Sequence, residues 1–137
     1  MTISPGPEAA GRPLRILLVE DNADNVLVIQ LYLRGYPFDI VVAEDGRQGV
    51  DLFLTQAFDL VLLDLFMPVM DGYEAVRLMR EHEAAAGKAH TPILAVTAHA
   101  SDENERRVRQ AGCDGYLTKP IPKARLIQAI AEATERL

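Results

Sequence analysis

Leu60-Val61-Leu62-Leu63-Asp64 is an unbroken aliphatic run that ends on a carboxylate. A strand with one wet face alternates apolar with polar residues, so a continuous run belongs to a strand covered on both faces, as in a parallel sheet between two helical layers. Ile16-Leu17-Leu18-Val19 has the same character and runs into Glu20-Asp21. Working outward, strands are predicted at Arg15 to Glu20, Asp39 to Ala43, Leu60 to Asp64, Ile93 to Thr97 and Gly115 to Thr118, separated by longer amphipathic stretches. In the second stretch Val50, Phe53, Leu54 and Ala57 fall at i, i+3, i+4 and i+7, and Leu126, Ile127, Ile130 and Thr134 do nearly the same in the last. Strand and helix alternate five times, which predicts an α/β fold with a parallel sheet.

Boundary signals support that division. Asp71 and Glu74 form a capping-box pattern after Met67-Pro68, and Gly112 stands where a helix would end. Between Ser101 and Ala111 only Val108 and Ala111 are apolar, so this fourth helix should be the least stable element. Residues 1–13, rich in Pro, Gly and Ala, read as a flexible tail or linker stub, with the folded domain over 14–137.

A chain of 137 residues holds one domain core. Its 14 basic against 20 acidic side chains give a net charge of −6, which disfavours a nucleic-acid partner. Arg106, Arg107 and Arg109 read as a solvated helix face, and the single cysteine, Cys113, as a packing residue that excludes an internal disulfide framework. No run approaches the roughly 20 apolar residues of a membrane span, so a soluble, cytoplasmic domain without membrane contact is expected. His82, His90 and His99 lie in separate segments without transition-metal spacing, and His82 and His90 read as surface residues.

The polar residues cluster at strand ends. Glu20 and Asp21 follow the first strand, Asp64 ends the third, Thr97 the fourth, and Lys119 follows the fifth. In an open parallel sheet these carboxyl ends share one edge, where the ligand crevice forms. Singly, Asp21 or Asn22 could cap a helix, Thr97 could be an ordinary strand residue, and Lys119-Pro120 a turn. Together they exceed any packing need, while the amino ends carry no comparable set. Three carboxylates and one ammonium leave a charge of −2, which one divalent cation would neutralise. All the candidate ligands are oxygens and few in number, which suits Mg²⁺ better than Ca²⁺. A hard-metal site with a free carboxylate, a lysine and a hydroxyl is equipment for phosphoryl transfer to an aspartate.

Val19-Glu20-Asp21-Asn22, Leu63-Asp64 with Met67-Pro68-Val69-Met70-Asp71-Gly72, Thr97-Ala98 and Lys119-Pro120 together resemble the receiver domain of the two-component response-regulator family, from about Leu14 to the end of the chain. The resemblance implies a flavodoxin-like, doubly wound sheet of five parallel strands in order 2-1-3-4-5, with five helices. It implies a signalling phosphoacceptor: Asp64 takes a phosphoryl group from a sensor histidine kinase or a histidine phosphotransfer protein. Asp21 matches the direct Mg²⁺ ligand and Glu20 one acting largely through water, with Asp64 and the backbone carbonyl of Phe66 completing the set. Lys119 matches the cation on a phosphoryl oxygen, and Thr97 the hydroxyl that bonds the attached group. Tyr116 matches the aromatic residue that turns inward, with Ala98 small enough to leave room, and Pro120 the proline after a cis peptide. Since one charged hydrogen bond is worth about 1.5 to 3 kcal/mol and a full population switch about 5.5, the switch should be shallow, with the fourth helix moving and its surface with the fifth strand and helix meeting an output partner.

Phe66 and His99 are less usual in that family and should rim the site, where a phenyl ring would exclude water and slow dephosphorylation. A haloacid-dehalogenase-type hydrolase would want a second aspartate where Phe66 stands. A flavodoxin-like cofactor binder would want a phosphate loop after the first strand, and a docking-only pseudo-receiver would not need the complete Asp21, Asp64, Thr97 and Lys119 set. The Asn25 and Thr97-Ala98-His99-Ala100 neighbourhoods resemble receivers attached to hybrid kinases, and a free-standing regulator fits equally.

Overall fold

The computed structural model describes residues 12–67, 69–99 and 101–135. The strands are β1 (Leu14–Val19), β2 (Phe38–Ala43), β3 (Leu60–Asp64), β4 (Ile93–Thr97) and β5 (Gly115–Thr118). The helices are α1 (Ala23–Tyr32), α2 (Gly46–Thr55), α3 (Gly72–Ala86), α4 (Asp102–Ala111) and α5 (Lys123–Thr134). All described strand pairs are parallel, in the order β2-β1-β3-β4-β5, so the expected flavodoxin-like sheet is the observed one.

The continuous apolar runs are explained by the two faces they serve. Leu17, Val19, Val61 and Leu63 pack with Val50, Phe53, Val76, Met79 and Val108 from α2, α3 and α4, whereas Ile16, Leu18, Leu60 and Leu62 pack with Ile29, Leu126 and Ile130 from α1 and α5. Each fully buried aliphatic side chain contributes about 1.5–3 kcal/mol, so the central strands carry much of the stability. Val108 is the buried residue of α4, as its sequence foretold.

Local chemistry then aims the sheet's carboxyl edge. Asn22, not Asp21, caps α1, its Oδ1 accepting the N–H groups of Asp24 and Asn25 at 2.9 and 3.1 Å, which leaves the Asp21 carboxylate for other use. Asp71 Oδ1 caps α3 by accepting Glu74 N–H at 2.9 Å. Gly72 lies against the β3 exit so closely that a Cβ there would stand 2.7 Å from Leu65 Cα and 2.8 Å from the Asp64 carbonyl, so glycine lets α3 start directly beneath Asp64. Gly112 ends α4 in the left-handed conformation at φ 114°.

Two expectations change. The amino edge is not bare. Arg80 Nε donates to the Gly112 carbonyl at 3.0 Å, Nη1 to Glu83 Oε1 at 2.7 Å and the Thr91 carbonyl at 2.8 Å, and Nη2 to Asp114 Oδ2 at 2.9 Å. Glu83 Oε2 accepts Thr91 N–H at 2.8 Å and Asp114 Oδ2 accepts Ile93 N–H at 2.8 Å, so the cluster joins α3, the entry to β4 and the α4–β5 connection. His82 is not a surface residue: it is half-buried edge-on to Phe53, 6.5 Å between ring centroids, because α3 turns it toward α2. His90 is exposed, with Nε2 2.7 Å from Asp114 Oδ1. Of the expected tail, residues 1–11 lie outside the described part, and Arg12 is held by Asp59 through bonds of 2.9 and 3.1 Å.

Candidate functional site

Parallel pairing brings the ends of β1, β3, β4 and β5 together. Glu20, Asp21 and Asp64 each offer a carboxylate oxygen, and these oxygens all lie within 4.8 Å of one another. Glu20 is 2% and Asp64 7% exposed, while Asp21 is open to solvent. Lys119 Nζ bridges the buried pair, donating to Glu20 Oε1 at 3.0 Å and Asp64 Oδ2 at 3.1 Å. The second oxygens are also held: Glu20 Oε2 accepts Asn22 N–H at 3.2 Å and Asp64 Oδ1 accepts Phe66 N–H at 3.1 Å.

The electrostatics follow from burial. Removal from water pushes the Glu20 carboxyl above its ordinary value, opposed by the Lys119 hydrogen bond and reinforced by the Asp64 charge. Burial draws the Lys119 ammonium down, but the bonds and charges of Glu20 and Asp64 outweigh it and hold the group above its ordinary value. Like charges within 4.8 Å of one another repel by roughly 3–4 kcal/mol or more at an effective dielectric near 20, and one ammonium does not neutralise three carboxylates. An all-oxygen donor set of this charge and spacing fits a small hard cation.

Thr97 is fully buried at the end of β4, its Oγ1 accepting His99 N–H at 3.0 Å. Its carbonyl accepts Lys119 N–H at 2.7 Å, which ties the β4 and β5 ends together, and the following Lys119-Pro120 peptide is cis. Ala98 is exposed, and Tyr116, opposite Ala95 in the sheet register, is half-buried against the core. Phe66 and His99 face each other edge-on, 5.5 Å between centroids at 86°, with Phe66 50% exposed. One contact had no sequence signal: Asn104 Nδ2 reaches back from α4 to the His99 carbonyl at 2.9 Å, and an asparagine in a first helical turn ordinarily means nothing more than exposure.

A doubly wound α/β sheet with clustered carboxylates and a lysine at its carboxyl edge defines a flavodoxin-like domain built around an acidic pocket. Within that class, residues 16–131 match the model of the response regulator receiver domain, and the chain belongs to that family. It is 40% identical over 129 residues to the sensor protein GacS of Pseudomonas syringae pv. syringae, covering 94% of this chain but 14% of that protein. The cell cycle response regulator CtrA of Brucella ovis is 36% identical, over 90% of this chain and 51% of its own length. Among solved structures, the magnesium-bound receiver domain of the sensor histidine kinase PA1611 from Pseudomonas aeruginosa PAO1 aligns with a TM-score of 0.80 and 35% identity, over 90% of this chain and 99% of that one. A chain in the co-crystal of the Saccharomyces cerevisiae histidine phosphotransfer protein Ypd1 with the receiver domain of Ssk1 aligns at 0.85 with 30% identity, over 90% of each chain. The domain is a receiver of two-component phosphorelay signalling. No helix among the described residues is long and apolar enough to cross a membrane.

Proposed function

We propose that Asp64 accepts a phosphoryl group from a phosphohistidine of a sensor histidine kinase or histidine phosphotransfer protein in the cytoplasm. The observation that carries this is the Lys119 bridge, which fixes one Asp64 oxygen while the Phe66 N–H fixes the other. An Asp64 oxygen attacks phosphorus in line, the P–N bond breaks with its electron pair returning to the imidazole, and an acyl phosphate forms. A carboxylate is already ionised at neutral pH, so no general base is required. Glu20, Asp21, Asp64 and the Phe66 carbonyl would hold Mg²⁺, which when bound supplies positive charge against the transferring oxygens. Lys119 holds a second phosphoryl oxygen, Thr97 bonds a third, and Tyr116 turns inward past Ala98. We assign the receiver domain to residues 14–137. Radiolabelled phosphohistidine protein should pass its label to this domain as an alkali-labile acyl phosphate; a domain that stays unlabelled with several histidine donors loses this role.

The donor docks beside the pocket. Leu27, Val28 and Leu31 on α1 are 54%, 43% and 47% exposed, and an apolar groove from Val28 and Tyr32 runs to Lys119 and Pro120. The output partner meets α4, β5 and α5, where a second groove is lined by Arg109, Tyr116, Leu117 and Arg125.

Metal binding has a thermal signature. Because the folded Glu20 pKa is raised, its stabilising contribution is complete below the unfolded value and disappears as pH rises through the folded one, so the empty pocket is penalised at neutral pH. Mg²⁺ at a hundred times Kd should raise stability at pH 7 by about 2.7 kcal/mol. The gain should shrink as pH falls toward 4 and vanish in Asp21→Ala. An equal Tm rise in that variant would place the metal elsewhere.

Phe66 shields the acyl phosphate from water in this reading. Phe66→Asn should lose phosphate faster, on the order of tenfold, which corresponds to about 1.4 kcal/mol of barrier. A rate that is unchanged or slower in a single-turnover decay assay would remove the shielding role.

A further inference from the structure

A line of direct contacts runs from the acceptor pocket into α4. Thr97 Oγ1 accepts His99 N–H at 3.0 Å, and the His99 carbonyl accepts Asn104 Nδ2 at 2.9 Å. The His99 ring stands edge-on to Phe66, whose N–H lies on Asp64 Oδ1. Asn104 sits in the first turn of α4, and its backbone N–H is already satisfied by Ser101 Oγ at 3.0 Å. The cap therefore does not need the Asn104 side chain, which is committed to the β4–α4 connection instead.

The other end of α4 is fixed. The Gly112 carbonyl accepts Arg80 Nε, and Arg109 Nη1 donates to the Asp114 carbonyl at 3.2 Å. Midway, the Arg107 guanidinium lies 4.0 Å over the Tyr73 ring centroid. With Val108 its buried residue, α4 has little apolar anchorage against rotation. It is pinned at its carboxyl end and tied at its amino end to His99, whose N–H is held by the Thr97 hydroxyl.

We propose that Asn104 is the positioning residue through which Thr97 moves α4. This rests on the acceptor role proposed for Asp64. When the Thr97 hydroxyl turns toward the phosphoryl oxygens by a change of χ1, Oγ1 leaves the His99 N–H and the His99 peptide shifts. The Asn104 amide draws the first turn of α4 with that peptide, and the helix pivots about its Arg80-bound end. The surface that changes is the exposed side of α4 around Arg106, Arg107 and Gln110.

Asn104→Asp separates coupling from folding. It is nearly isosteric, and a carboxylate in a first helical turn favours the helix, but it cannot donate to the His99 carbonyl. Amide shifts would be recorded with Mg²⁺ and beryllofluoride. In wild type, amides of the Asp64 pocket and of Arg106, Arg107 and Val108 should both respond. In Asn104→Asp the pocket should respond as in wild type and Tm should hold, while the α4 shifts fall by roughly threefold to tenfold, the factor one net hydrogen bond commands. Asn104→Gln, which keeps the amide donor, should recover most of the α4 response. An α4 response as large in Asn104→Asp as in wild type, a wild-type α4 that stays silent while the pocket responds, or an Asn104→Gln variant as defective as Asn104→Asp each overturns the coupling role alone. A wild-type pocket that does not respond overturns the acceptor role, and the coupling falls with it.

Discussion

Asp64→Asn should reduce acyl phosphate formation by at least on the order of 10³, a loss of the size seen when a covalent nucleophile is removed. The amide has no ionised oxygen with which to attack, and nothing else in the pocket replaces it. Glu20 lies deeper and is held by Lys119 and Asn22 N–H, and Asp21 is exposed without a lysine bridge. The fold should survive. The amide oxygen still accepts from Lys119 or Phe66 N–H, and removing one of three crowded charges relieves repulsion, so Tm without Mg²⁺ should stay level or rise. Phosphotransfer from a labelled phosphohistidine protein, run beside thermal melts of both proteins, measures both effects. Retention of wild-type label by a folded Asp64→Asn variant would move the acceptor to another side chain.

The central sheet and its carboxyl edge were legible because both rest on patterns that packing alone does not produce. A carboxylate at the end of Leu60-Val61-Leu62-Leu63 is costly unless partnered, so its presence asks for a lysine or a metal nearby. The residues leave open which side chain caps α1; in the folded chain Asn22 Oδ1 takes both N–H groups and frees Asp21. The amino-edge cluster leaves no such pattern in the sequence. Arg80, Glu83 and Asp114 each look like ordinary exposed helix or loop charges, and they meet only because α3 and the β5 entry are brought together by the sheet. The burial of His82 is equally silent, since helical periodicity gives a face but not which neighbour covers it. The Asn104 contact is shorter in range yet equally silent, because it depends on where the β4–α4 connection turns.

Arg80 carries the largest expected effect on stability. Its side chain is 17% exposed and that of Glu83 8%, so this is a largely desolvated ion pair, unlike Arg77 with Glu81, where both partners are more than half exposed. An exposed pair is worth about 0–1 kcal/mol, whereas removing one partner of a buried pair costs about 3–5 kcal/mol because the other charge stays behind unpaired. Arg80→Met should show that cost: the methylene stem that packs near Gly112 is largely kept, while Glu83 retains only Thr91 N–H and the Gly112 and Thr91 carbonyls lose their donor. Against a total of about 5–15 kcal/mol for a domain, the urea midpoint should fall steeply. The companion Arg80→Met/Glu83→Met decides the cause. If a stranded carboxylate is the main penalty, removing it as well should recover part of the loss, and the double variant should be more stable than the sum of its singles. A single-variant cost below about 1 kcal/mol would mean that water reaches the cluster and that it behaves as a surface pair. Label uptake at Asp64 should persist in Arg80→Met wherever the protein remains folded, since the cluster lies at the opposite edge of the sheet. The α4 response to beryllofluoride should become less defined, because the end of the helix is then held by the Arg109 bond to the Asp114 carbonyl without the Arg80 bond to Gly112.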